Sequence, residues 1–253
     1  MVQNKIVLVT GGSRGLGKNM AISLAKKGLD VIVTYKSNKY GALAVVKEIE
    51  EIGNKAFAMQ LNVDDIANFD LFFINLKKNL LEFLNVEKFD FLVNNAGVGT
   101  YETIENTTED QFNNLVNIHF KAPFFITQKA LPFLNTNGGV VNISTGLTRF
   151  SLPGYAAYAA AKGAVEVLSR YLAKELGDKK IRVNTVAPGA IETDFGGGVV
   201  RDNKDLNNFI GSQTALGRVG VPSDIGSVVA FLCTDDAEWI NAQRIEVSGG
   251  QMI

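Results

Sequence analysis

The most restrictive stretch of the sequence is its opening. A short run rich in β-branched residues, Lys5-Ile-Val-Leu-Val-Thr10, runs into the cluster Gly11-Gly12-Ser13-Arg14-Gly15-Leu16-Gly17, and a helical pattern follows over 18–27. This reads as strand, glycine-rich turn, helix. Glycines let such a turn reverse tightly and let backbone N–H groups approach a pyrophosphate at the positive end of the next helix. A second strand is expected over 30–35. Beyond it, helical patterns at 41–52, 66–84, 109–134, 153–176 and 222–233 alternate with apolar runs at 56–61, 89–93, 140–143, 181–186 and 244–247.

Strands alternating with helices at this spacing specify a parallel sheet covered on both faces. The expected fold is α/β: a doubly wound, Rossmann-like, mostly parallel sheet with helices on both faces, in a single domain over 1–253. Ligands bind such sheets beyond the carboxyl ends of the strands. The residues there are polar and glycine-rich: Asn62-Val63, Asn94-Asn95-Ala96-Gly97, Ser144-Thr145-Gly146 and Pro188-Gly189-Ala190-Ile191-Glu192-Thr193. Where dinucleotide-binding folds usually place an acid for the adenosine ribose, this chain has Tyr35, Lys36 and Ser37, and Arg14 sits in the glycine turn. Two cations and a hydroxyl can gather where a 2′-phosphate would lie, which predicts NADP(H) over NAD(H).

The alanine-rich helix over 153–176 carries Tyr158 and Lys162, four residues apart and so on one face. A phenol titrates near 10 in water, and a neighbouring ammonium stabilises the phenolate and lowers that value. The pair is a candidate proton donor with its own tuner.

Composition excludes several classes. With 253 residues, 46% apolar and 20% charged, the chain can bury a large core. A formal net charge of -1 gives no basic field for nucleic acid or an anionic membrane. The longest apolar runs are interrupted by Lys77, Lys78, Lys121 and Lys129, too soon for a membrane span. The single cysteine, Cys233, allows no disulfide or cysteine-based metal site within one chain, and no metal is expected. The chain passes from Lys5 straight into a strand without a leader pattern, so a cytoplasmic protein is expected.

In this order and at these strand ends, Thr10 to Gly17, Asn94 to Gly97, Tyr158-x-x-x-Lys162, Pro188-Gly189 and Val247-Ser-Gly-Gly250 resemble the short-chain dehydrogenase/reductase family. The resemblance covers nearly the whole chain and is to the compact branch that includes the β-ketoacyl-carrier-protein reductases. It implies hydride transfer between NADP(H) and the carbonyl or alcohol carbon of a small molecule, with Tyr158 giving or taking the hydroxyl proton. Lys162 would lower the phenol and bond the nicotinamide ribose, and Asn117 would hold a water that passes protons to Lys162. Thr145 stands where the family usually has serine. Ser144, one residue earlier on a strand end, points to the opposite face and cannot replace it.

The resemblance also implies cofactor contacts. These are Gly11, Ser13, Arg14, Gly15, Leu16 and Gly17 at the phosphates, Asn62 and Val63 at the adenine, and Asn95, Ala96 and Gly97 on the adenosine side. Pro188, Gly189, Ile191 and Thr193 would lie at the nicotinamide. Tyr155, seven residues before Lys162, matches the tyrosine spacing of enoyl reductases, so reduction of a carbon–carbon double bond is the alternative chemistry. A non-catalytic NADP(H)-binding sensor is the alternative function. Otherwise Tyr155 lines the substrate mouth, beside a mobile lid over about 190–216 without packed elements. His119, the sole histidine, is offset by two residues from Asn117 and is expected to be structural or on the surface. A homotetramer, or a homodimer, is expected by resemblance, packed through the helices of 109–134 and 153–176.

Overall fold

The computed structural model describes residues 4–253. Its first strand, β1 (Ile6–Val9), carries no polar residue because both of its faces are buried: Ile6 and Leu8 join one core, Val7 and Val9 the other. The remaining strands are β2 (Asp30–Tyr35), β3 (Ala56–Gln60), β4 (Phe89–Asn94), β5 (Leu134–Ile143), β6 (Arg182–Pro188) and β7 (Arg244–Val247). They form one seven-stranded sheet in the order β3-β2-β1-β4-β5-β6-β7, and every pairing is parallel. This is the doubly wound Rossmann-like arrangement that the alternation specifies. The strand order reverses between β1 and β4, and a ligand crevice opens at that reversal.

One face is covered by α1 (Gly15–Lys26), α2 (Lys39–Ile52) and α9 (Pro222–Leu232). The other is covered by α3 (Phe69–Asn79), α4 (Glu109–Val116), α5 (Ala122–Ala130) and α6 (Ala156–Glu175). On α3, Phe69, Phe72, Phe73 and Leu76 recur at helical spacing and are buried. Each such side chain contributes roughly 1.5–3 kcal/mol on burial, well above any local helix preference, so the apolar stripe is what seats the helix.

Two helices expected to be continuous are interrupted. The run over 109–134 divides into α4, a π turn at Asn117–Lys121, α5, and a 3-10 turn at Leu131–Phe133, after which Leu134 already belongs to β5. Pro123 is the reason: it has no N–H to offer the carbonyl four residues back, and the Ala122 N–H bonds the Asn117 carbonyl instead. The run over 66–84 similarly starts in a 3-10 turn and ends in a π turn at Leu80–Leu84, closed by Asn85 at φ 56. The 190–216 segment also departs from expectation, because it holds two short helices, α7 (Val199–Asp202) and α8 (Lys204–Ser212), the latter capped by Asn203.

Candidate active site

At the end of β1 the chain turns through Gly11, at φ 66, into α1. A Cβ on Gly17 would lie 2.2 Å from the Gly11 carbonyl oxygen and 2.5 Å from Asn95 Nδ2, so only glycine lets the turn close against β4. Thr10 stitches the two strand ends together. Its Oγ1 accepts from the N–H groups of Asn95 (2.9 Å) and Ala96 (3.0 Å), while Asn95 Nδ2 donates to the Thr10 carbonyl (2.9 Å). No side chain caps the start of α1, and its first turn holds no acid. The free N–H groups and positive end of a 12-residue helix therefore face the crevice, as a pyrophosphate requires.

Ser13, Gly15 and Leu16 are half-buried around that turn, and Arg14 is exposed. At the end of β2, Tyr35 packs against the core while Lys36 and Ser37 are exposed. Neither Arg14 nor Lys36 forms an ion pair among the described residues, which leaves both cations available to a phosphate. Asn62 is half-buried and accepts from the Asp64 N–H (3.3 Å); Val63 is buried. Beyond β6, Gly189 lies against Ser248, and the Ala190 N–H donates to Gln251 Oε1 (3.0 Å). Ile191 bridges to Gly220, and this holds Thr193 over the start of α1, where its Cβ would be 3.8 Å from a Cβ on Gly15. The structure thus brings the β1, β4 and β6 ends to the two sides of one crevice.

Tyr158 and Lys162 lie on α6 at the same strand edge, both buried. Thr145, after β5, is also buried, and its hydroxyl accepts from the Leu147 N–H (3.3 Å). Ser144 turns the other way and donates to Glu166 Oε1 (2.6 Å), as strand alternation requires. Lys162 Nζ donates to the Ile143 carbonyl (2.6 Å) and lies 5.9 Å from the centre of the Tyr158 ring. Burial lowers the Lys162 ammonium to about 8. The expected acidification of Tyr158 is reversed here. Burial pushes the phenol above its ordinary value, and the neighbouring Thr145 hydroxyl offsets this only in part. Desolvation is the largest influence on the phenol, and the Lys162 ammonium is engaged by the Ile143 carbonyl. Asn117 opens the π turn, half-buried, and its side chain makes no hydrogen bond among the described residues.

A buried polar lattice that sequence reading missed fixes α6. Asn94 Nδ2 donates to Asn142 Oδ1 (2.8 Å) and Thr127 Oγ1 (3.1 Å), Asn142 Nδ2 to Ser169 Oγ (2.8 Å), and Thr185 Oγ1 to the same Ser169 oxygen (2.9 Å). Glu166 accepts from Ser144, Thr148 (2.7 Å) and Arg244 (2.9 Å). The signal was present in α6, where Tyr158, Lys162, Glu166 and Ser169 recur every three or four residues along one face. Of the two positions expected for His119, structural or on the surface, the structure shows the first. It is buried, not on the surface, and its ring stands perpendicular to Tyr158 with centroids 5.0 Å apart.

A parallel sheet with a glycine-turn crevice, and a buried tyrosine and lysine at its edge, defines a dinucleotide-dependent oxidoreductase. The chain belongs to the short-chain dehydrogenase/reductase family: residues 11–252 match the family model described as enoyl-(acyl carrier protein) reductase. An uncharacterized oxidoreductase of Methylorubrum extorquens is 38% identical over 252 residues, 98% of each chain. A hydroxynaphthalene reductase-like protein of Metarhizium robertsii is 36% identical over 259 residues, 98% of this chain and 95% of that one. Among solved structures, the promiscuous reductase LugOII, which catalyses keto-reduction at C1 during lugdunomycin biosynthesis, superposes with a TM-score of 0.94 at 36% identity over 99% of both chains. The angucycline C-6 ketoreductase LanV with bound NADP gives 0.93 at 35% identity, covering 98% and 95%. No helix among the described residues is long and apolar enough to cross a membrane.

Proposed function

We propose that the protein is an NADPH-dependent ketone reductase in which Tyr158 donates the proton. The observation that carries this reading is the buried Tyr158–Thr145 hydroxyl pair at the strand edge, with Lys162 behind it. NADPH supplies the hydride. The glycine turn and α1 would hold its pyrophosphate, Arg14, Lys36 and Ser37 its 2′-phosphate, and Asn62 its adenine. Ile191 and Thr193 would hold the nicotinamide side.

Thr145 donates a hydrogen bond to the substrate carbonyl oxygen and Tyr158 delivers a proton to it as negative charge develops. Burial holds the phenol protonated but also makes it a weaker acid, so in this reading the positive charge of Lys162 and the developing charge on the substrate oxygen must draw the proton off. Lys162, and a water held at Asn117, restore the proton. Carbon–carbon reduction through Tyr155 fits less well, because Tyr155 is only half-buried and its ring packs edge-on against Tyr101 (5.4 Å) rather than toward Thr145.

The substrate is inferred to be a ketone on a flat, uncharged, largely aromatic body. Tyr101 lies against Gly154 and Tyr155, and Phe195 lies against Gly99 with its ring 5.9 Å from Tyr158, so half-exposed aromatic faces flank the phenol. Arg201 of the 190–216 lid is paired with Asp194 and Asp202, whose carboxylates offset its charge. Relatives named for hydroxynaphthalene and angucycline chemistry support the same class. A cytoplasmic homotetramer is part of this reading, supported by exposed Phe112, Phe124, Val167 and Tyr171 on α4, α5 and α6, and light scattering tests the assembly. The decisive experiment is Tyr158→Phe assayed with 1-tetralone and NADPH. Ketone-dependent oxidation should fall at least about a thousandfold with NADPH affinity retained, and full activity would refute the mechanism.

A further inference from the structure

Among the described residues, two buried side-chain polar atoms lack a hydrogen-bond partner, and one of them is His119 Nδ1. The other ring nitrogen, Nε2, lies 2.8 Å from the Val98 carbonyl oxygen and so carries the proton, which leaves Nδ1 with a buried lone pair. An apolar ring of similar size would avoid that cost. What histidine adds is the tie to Val98, in the loop that leaves β4 for the substrate side. The approach is close because residue 97 is glycine: a Cβ there would lie 2.9 Å from His119 Cε1. From its other side the ring meets Tyr158 at 5.0 Å and 89°.

We propose that His119 is a positioning residue for the reaction: its Nε2–H anchors the loop after β4 through Val98, and its ring, set perpendicular to the phenol, fixes the plane of Tyr158. The assignment rests on the reading of Tyr158 as proton donor. His119 is not itself an acid or base in the reaction. Burial and the Lys162 charge hold it neutral, with a value of about 3, and the titratable groups it faces are Tyr158 and Lys162 of α6. One side chain therefore couples the substrate loop to the proton donor, and two substitutions separate the couplings. His119→Phe keeps a flat ring beside Tyr158 and removes the bond to Val98. His119→Gln can still donate to the Val98 carbonyl and removes the ring.

Steady-state kinetics with 1-tetralone and NADPH across pH, NADPH affinity by fluorescence, and thermal midpoints test the idea. His119→Phe should raise the ketone KM about fivefold or more, with kcat within about twofold of the parent. His119→Gln should lower kcat about tenfold or more, with KM within about twofold, and move the alkaline limb of kcat to lower pH because water then reaches the phenol. Both should bind NADPH as the parent does. Parallel losses in kcat and KM that follow the thermal midpoints, or no change beyond twofold in either variant, overturn the assignment. If His119→Phe does not fold, kcat and the alkaline limb of His119→Gln decide alone. An active Tyr158→Phe would sink the parent reading and this one together, whereas an inactive Tyr158→Phe beside unsplit His119 variants would sink only the role given to His119.

Discussion

His119→Phe also makes a prediction that needs no substrate. An ordinary histidine titrates at 6.5, and this one is held at about 3 by burial and by the Lys162 charge. Because the folded value lies below the unfolded one, unfolding takes up a proton between about pH 3 and 6.5. Stability contributed by the neutral ring is complete above 6.5 and is lost as pH falls through that window. The slope reaches about 1.4 kcal/mol per pH unit only inside the window, so the wild type should lose a little under about 2 kcal/mol between pH 6.5 and 5 through this residue alone, and about 4 kcal/mol by pH 3. His119→Phe removes the titration and gives up the Val98 bond, a pH-independent loss of about 1 kcal/mol. Urea unfolding of both proteins at pH 7 and pH 5, at one protein concentration, isolates the difference because every other carboxylate and lysine is shared. The variant should lose less stability than the parent between pH 7 and pH 5, by about 2 kcal/mol. Parallel pH dependences, within about 0.5 kcal/mol, would show that His119 is hydrated or charged in the folded protein and would refute the geometry given for it.

Lys36→Asp should shift the preference between NADPH and NADH toward NADH by about tenfold or more, the worth of one charge-assisted phosphate contact, as read from paired Kd values; an unchanged ratio would discard Lys36 as a phosphate ligand. Thr10→Val leaves the Asn95 and Ala96 N–H groups without their shared acceptor and should cost about 2–4 kcal/mol in chemical denaturation, with weakened NADPH binding; a loss below 0.5 kcal/mol would mean the β1–β4 stitch contributes little. Cys233 is fully buried with its thiol pushed up to about 12, so iodoacetamide at pH 8 should label it only on unfolding, and labelling within minutes of the native protein would contradict that burial.

What the sequence discloses and what it hides follow from the range of the forces involved. The alternation of apolar strands and helices is repeated along the chain, so the layers, the parallel sheet and the placing of Tyr158, Lys162, Thr145 and the glycine turn at one strand edge were all legible. Helical spacing also sufficed to set Tyr158 and Lys162 side by side, but it could not give the sign of their coupling. That sign depends on where the Lys162 ammonium finds an acceptor, and the acceptor is the carbonyl of Ile143, 19 residues earlier on β5. The same limit explains His119. Turning it away from Asn117 assumed one regular helix over 109–134, whereas Pro123 forces a π turn at Asn117–Lys121, and α6, from a distant part of the chain, then meets the histidine ring. Local periodicity identifies which faces are buried. Which polar atom meets which across those faces is fixed by the crossing of elements far apart in sequence, and the protonation of the proposed acid is decided there.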